Sequence, residues 1–398
     1  VYDRLERVFY AAQGTWCTEH GIALTGHPTG SGEFGVLRQF HWPGQDMVWR
    51  WVTPDSPSAL EGDHSTAPKC AASAAINQGS QRCATELFGA YGWQLTLDEA
   101  KWLLDWHLVR GVNLYYPHAC FYSIRGRRAY ESEPDIGIHN VWWPHFGILS
   151  DYTRRLCWLL SEAQPVCRVA ILTDPNAAAW SAAKYLYRNQ VDFFYIGPRE
   201  LNDAIVEGSD LVIGEQRVRT VILDVRSGMN ELDGSLVANK AQRARLADWQ
   251  ANGGVFIDKW TPESLASAIA AEPDRDMHWP DVPDVRLARY QLGSRRIYFL
   301  VNEGEDAVEG PLSLAGAGSL ECWDPMIGEI RPWPSQAVDG RIHTTLRLDR
   351  RQGLVLVVDP DAGPSAAAEV APTNPVTTMT ELSGPWQAQT TEGVALDT

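Results

Sequence analysis

The chain has 398 residues, 44% of them hydrophobic, with a net charge of −16. That length suffices for two or three domains with sizeable cores, and the acidic balance argues against a nucleic-acid or other polyanion surface. No apolar run reaches the roughly 18 residues of a membrane span, and the seven Cys, without a C-x-x-C pair, signal neither a zinc site nor a disulfide framework.

In chain order, residues 2–20 read as a helix, with Leu5, Val8, Phe9, Ala12 and Trp16 at helical spacing. Gly21 ends it. Ile22 to Thr25 reads as a short buried strand running into Gly26, His27 and Pro28. Residues 29–66 show no regular period and carry Trp42, Asp46, Trp49 and Trp51. A loop this long is usually functional or disordered, and disorder seldom carries so many aromatics, so an active-site loop is expected. An Ala-rich helix over 69–78 follows, closed by Gly79, and then a short apolar strand ending on Glu86. Gly89, Tyr91, Gly92 and Trp93 come directly after it. The next helix, 97–110, has Leu97, Ala100, Leu103, Leu104 and Leu108 on one face. Strand 112–117 ends on His118. A polar loop, 121–143, holds Tyr122, Glu131, Glu133, Asp135 and Trp142, and a helix over 151–161 completes the region.

This alternation predicts parallel β/α units over 1–163, with His27, Glu86 and His118 at strand ends, where a barrel places its functional groups. Ten of the 17 Trp fall in the first 158 residues. Aromatic faces beside polar groups suit the apolar faces of sugar rings. Over 164–283, strands at 169–172, 193–196, 220–223 and 255–257 alternate with helices at 177–189, 199–207, 235–251 and 262–271, the pattern of a flavodoxin-like doubly wound domain. Thr173 to Asn176 contains no Gly, so no nucleotide is assigned. From 284 to 360 the period changes to two, which predicts an antiparallel β-sandwich. Residues 361–398 read as a Pro/Ala/Thr-rich linker and the start of a further β-module near Glu381 to Trp386.

Several stretches together resemble the large multidomain glycoside hydrolases of the α-L-rhamnosidase and β-galactosidase-like type. They are Leu24 to Pro28, Ala84 to Trp93, Asp105 and Trp106 through Asn113, Tyr116 to Ser123, and Cys322 to Glu329. The resemblance implies a (β/α)8 barrel, then the flavodoxin-like domain, then the sandwich. It also implies two carboxylic acids flanking the glycosidic bond. Glu86 matches the nucleophile or base, near the seventh barrel strand. The proton donor of such barrels sits on the fourth strand, which would precede Val1. The chain therefore reads as a fragment, holding the C-terminal part of the barrel and lacking its acid, and both a cytoplasmic and a secreted parent protein are compatible with it. His27, Trp42, Asp46, Trp49, Tyr91, Trp93, His118, Tyr122 and Trp142 are expected to bind substrate. No metal site is assigned, although the resemblance allows Ca²⁺ held by carboxylates and carbonyls. The expected partner is a carbohydrate, and a homo-oligomer is allowed. A non-catalytic carbohydrate-binding protein on the same scaffold is the alternative. A regulatory protein built on the flavodoxin-like domain is opposed by the missing phosphate loop and by the lack of a phosphoacceptor-like acidic cluster.

Overall fold

The computed structural model describes residues 2–225, 240–270 and 275–363, with two further two-residue strands at Ala388–Gln389 and Ala395–Leu396. It is a mixed α/β structure with parallel and antiparallel sheets. The expected linker, the segment from Glu381 to Trp386 and the first residues of the helix expected over 235–251 lie outside the described residues. Among those described, no helix is long and apolar enough to cross a membrane.

The first sheet is all parallel, in the order β1 (Thr25–Gly26), β2 (Trp42–Met47), β3 (Ala84–Leu87), β4 (Leu114–Pro117). The opening helix is α1 (Tyr2–Leu5), a π-helical segment (Glu6–Tyr10) and α2 (Ala11–Glu19). The strand expected at 22–25 is shifted and shortened, and Ile22 is exposed. A larger correction falls in the expected loop 29–66, which contains β2. Its sequence, WPGQDM, has no β-branched residue and includes Pro and Gly, both depleted in strands. Tertiary packing overrides that preference. A Cβ on Gly44 would lie 2.6 Å from the Gly26 carbonyl oxygen, so only glycine lets the two backbones approach this closely.

α3 (Ala67–Gln78) is buried from Ala67 through Ala75 because it lies between two sheets. One side packs against β2. The other meets β7 (Phe193–Ile196), where the Tyr195 N–H donates to Ser73 Oγ at 2.8 Å. Hence its small residues, and hence Lys69 finds its counter-ion, Asp192, inside at 2.8 Å. α4 (Leu97–Leu108) starts at Thr96, whose Oγ1 accepts the Glu99 N–H. Its buried set is wider than the expected stripe and includes Trp102, Trp106 and His107. The opposite side meets the last sheet, with Trp102 Nε1 donating to the Glu303 carbonyl. α5 (Phe146–Glu162) begins before the expected 151 and packs beside α4.

After β5 (Gln164–Pro165), four parallel strands run β12 (Val255–Ile257), β11 (Thr220–Leu223), β6 (Val169–Leu172), β7. By chain position that order is 4-3-1-2, the order of flavodoxin-like sheets read from the far edge. Helices α6 (Ser181–Arg188), α7 (Pro198–Asp203), α8 (Lys240–Ala251) and α9 (Pro262–Ala270) accompany it. The helix expected over 199–207 stops at Asp203. A meander of β8 (Ile205–Glu207), β9 (Asp210–Ile213) and β10 (Gln216–Val218) replaces its end, turning at Gly208 and Gly214, both with positive φ. The loop after β6, where such a sheet takes its ligand, is bonded to the first region instead. The Pro175 carbonyl accepts N–H bonds from Phe34 and Gly35, each at 2.8 Å.

The strands between Met277 and Asp359 are antiparallel and, with β5, form two sheets. One orders β13 (Met277–His278), β16 (Val308–Ala315), β20 (Arg341–Leu348) and β19 (Gln336–Val338). The other orders β18 (Glu329–Pro332), β17 (Ser319–Asp324), β21 (Gly353–Asp359), β15 (Arg295–Asn302), β14 (Val285–Leu292) and β5. β21 is buried at every position, unlike a strand with one solvated face. Leu354, Leu356 and Val358 enter the core between the two sheets, while Val355 and Val357 pack on Leu108, Tyr152 and Leu156 of the α4–α5 region.

Candidate active site

The four strands of the first sheet each bring one polar group to the same end. In β2 and β3, Asp46 is paired in register with Glu86, and Glu86 with Tyr116 of β4. His27 directly follows β1 and His118 directly follows β4. His27, Asp46, Glu86 and His118 line one cleft of about 480 Å³, walled by Trp49 and Trp51. Hydrogen bonds continue the ladder past the strand ends. The Trp49 N–H donates to the Gly89 carbonyl at 3.0 Å, and the His118 N–H to the Leu87 carbonyl at 2.7 Å. At Gly89 a Cβ would lie 3.0 Å from Val48 and 3.4 Å from the His118 ring, so a side chain there would press on the cleft.

The floor is electrostatically tight. Burial, and then the adjacent Glu86 charge, push the Asp46 carboxyl up to about 6, while His27 and His118 pull it the other way. Asp46 Oδ1 and His118 Nδ1 are buried without a hydrogen-bond partner in the protein. Leaving such atoms unpaired is costly. One donor atom each of His27, Asp46 and Glu86 lies within 4.8 Å of the others. Their sequence spacing does not announce this grouping. It offers two carboxylates and an imidazole nitrogen. Ca²⁺ takes about six to eight oxygen ligands, so this donor set fits it poorly and better suits a divalent ion that accepts nitrogen.

Of the expected site residues, the structure brings His27, Asp46, Trp49, Glu86 and His118 together. It does not bring the others to them. Trp42 begins β2, at the end opposite Asp46. Tyr91 is fully buried, its hydroxyl donating to the Val52 carbonyl at 2.8 Å. Trp93 Nε1 donates to the Ala129 carbonyl at 2.6 Å. Trp142 Nε1 donates to the Leu95 carbonyl, and the indole stacks on Phe146. Tyr122 is fully exposed and outside the cleft. Asp135 organises its loop: it accepts N–H bonds from Phe121, Gly137 and His139 and pairs with the His139 ring. Burial works to raise its carboxyl, but those bonds outweigh it and hold the group below the usual carboxylate range. Trp51 and Ser132 line the cleft without having been expected to bind substrate. Trp51 stands two residues from Trp49, which is a signal. Nothing in the sequence marks Ser132.

No family model matches the chain, and no curated protein matches it. Solved structures do. A rhamnosidase from Novosphingobium sp. PP1Y superposes with a TM-score of 0.67 at 18% identity, covering 97% of this chain and 40% of that one. The α-L-fucosidase isoenzyme 2 from Paenibacillus thiaminolyticus gives 0.55 at 9% identity, over 88% and 71% of the two chains. A β-galactosidase from Bacillus circulans sp. alkalophilus gives 0.54 at 12% identity, over 90% and 66%. The chain thus spans 40% of the rhamnosidase's length. Each likeness covers most of this chain, which therefore shares its fold with the matching parts of the rhamnosidase, the fucosidase and the β-galactosidase.

Proposed function

We infer that the cleft binds a glycoside and that Glu86 acts on it, as the nucleophile at the anomeric carbon or as the base that takes a proton from the attacking water. The observation behind this reading is the row of strand-end groups. A carboxylate in register with a second, flanked by two histidines and walled by indoles, lies on a glycosidase-like scaffold. Asp46 and His118, which line the cleft, hold sugar hydroxyls. The four parallel strands are the C-terminal half of a (β/α)8 barrel occupying 1–163. A flavodoxin-like domain follows over 164–283 and a sandwich over 284–360. Four strands of eight leave the proton donor on the other half of the barrel, so the 398-residue chain alone hydrolyses little. No divalent ion is placed at His27, Asp46 and Glu86 in this reading, because an ion there would occupy the carboxylate that acts on the sugar. A homo-oligomer is compatible with this reading.

One observation favours a second assignment, with Asp46 as the acid. It approaches Glu86 to within 4.8 Å, burial and the Glu86 charge push its carboxyl up to about 6, and retaining glycosidases separate their two carboxyls by roughly 5 Å. Release of methanol from methyl α-L-rhamnoside and methyl β-D-galactoside, whose poor leaving group needs a proton, separates the two. The first assignment predicts turnover by a protein with the whole barrel and almost none by the 398-residue chain. Full turnover by the shorter chain, abolished by Asp46→Asn, would establish Asp46 as the acid. Sugar binding without turnover in either would mean a carbohydrate-binding protein.

A further inference from the structure

The mouth of the cleft is built differently from its floor. β2 ends at Met47, and beyond Val48 both Trp49 and Arg50 take left-handed conformations, with φ of 52° and 54°. Non-glycine residues seldom adopt that region, and two in succession persist only where the surroundings hold them. Arg50 supplies that hold. Its guanidinium pairs with Glu99 in the first turn of α4, donates to the Tyr91 carbonyl at 3.1 Å and lies over the Tyr91 ring at 5.6 Å. The Trp49 N–H is fixed on the Gly89 carbonyl. The result is an indole held out from the wall and 66% exposed. Trp51 meets it edge-on at 5.2 Å and is itself stacked flat on His64 at 3.9 Å. The pair is braced from behind and offers an open aromatic face.

We propose that Trp49 is the stacking platform for the leaving-group sugar, outside the ring held at the carboxylate floor, and that Arg50 is its positioning residue. The inference rests on the glycoside reading of the same cleft. The chemistry fits a pyranose aglycone. Trp49 lies beyond the strand end that carries Asp46, so the sugar whose bond is cut occupies the polar floor and the next ring reaches the indole. A methyl aglycone carries no ring to stack on it.

The test uses the full-length protein carrying Glu86→Gln, so that bound glycosides persist, with affinities measured by calorimetry. The probes are lactose against methyl β-D-galactoside, and neohesperidose against methyl α-L-rhamnoside. In the pair that the parent binds, Trp49→Ala should weaken the disaccharide about tenfold, the range of one aromatic contact, and leave the methyl glycoside within about twofold. Arg50→Ala should weaken the same disaccharide selectively, and Arg50→Lys, which keeps a cation for Glu99, should recover part of the loss. Unchanged methyl glycoside affinity shows that the floor is still folded. Equal losses for both ligands, or none, overturn the platform while leaving the cleft reading intact. Loss with Trp49→Ala but not with Arg50→Ala overturns the positioning role. A parent protein that binds none of the four sugars overturns the glycoside reading and the platform together.

Discussion

Asp46 and Glu86 are neighbours because β2 and β3 pair in register, and Gly44 lets β2 approach β1 on its other side. Among the aromatic candidates, burial separates roles. Trp49 stands open, whereas Tyr91 is enclosed and its hydroxyl satisfies the Val52 carbonyl. Tyr91→Phe would leave that carbonyl without its donor, at a cost of about 1–3 kcal/mol. The expected outcome is a lower urea midpoint with sugar affinity unchanged. A selective loss of sugar affinity at unaltered stability would instead place Tyr91 in the binding machinery. Glu86 was legible in the sequence because a short apolar run between two clear helices leaves room only for a strand. Asp46 was legible as a residue but not as a strand-end group, since WPGQDM has neither the alternation nor the composition of a strand.

At the scale of elements, helices were legible where their faces differ and strands where apolar runs are bounded by turns. The β8–β10 meander was not, although Gly-Ser at 208–209 and Gly-Glu at 214–215 are tight-turn signals between short apolar segments. The second parallel sheet holds its helices through side chains as well. Asp224, directly after β11, accepts the Ala182 N–H at 2.7 Å in the first turn of α6. Burial pushes its carboxyl up to about 6, against the pull of the Ala182 and Ser181 N–H groups. Its folded pKa therefore lies above its unfolded value of about 3.9. Between the two, the folded state binds more protons, so stability falls as pH rises from about 4 to 6, and the full penalty applies at pH 7. Asp224→Asn stays neutral and retains a carbonyl acceptor for Ala182. Its unfolding free energy in urea titrations should exceed that of the unsubstituted protein at pH 7 by on the order of 1–3 kcal/mol, and the difference should vanish below about pH 4. A difference independent of pH would show that the carboxyl's ionisation is not its source.

Across the whole molecule, the helices beneath the first sheet are shared surfaces. α3 serves both parallel sheets and α4 joins the first sheet to the antiparallel ones. Arg110 and Arg286 converge on the buried Glu303 carboxylate between those regions, Arg286 Nε at 2.9 Å. Sequence periodicity marks one apolar face per helix, so this second burial was not legible, and neither was the continuous burial of β21. Such packing fixes the ends of β2 and β3, where the proposed chemistry occurs. The central claim is that Glu86 acts on the glycosidic bond. Glu86→Gln in the full-length protein, measured for both kcat and sugar affinity, tests it most directly, because the amide keeps the shape and removes the charge. The account predicts a fall in kcat of about a thousandfold or more, roughly 4 kcal/mol of transition-state stabilisation, with affinity little changed. An unchanged kcat, or a loss confined to affinity, would contradict it.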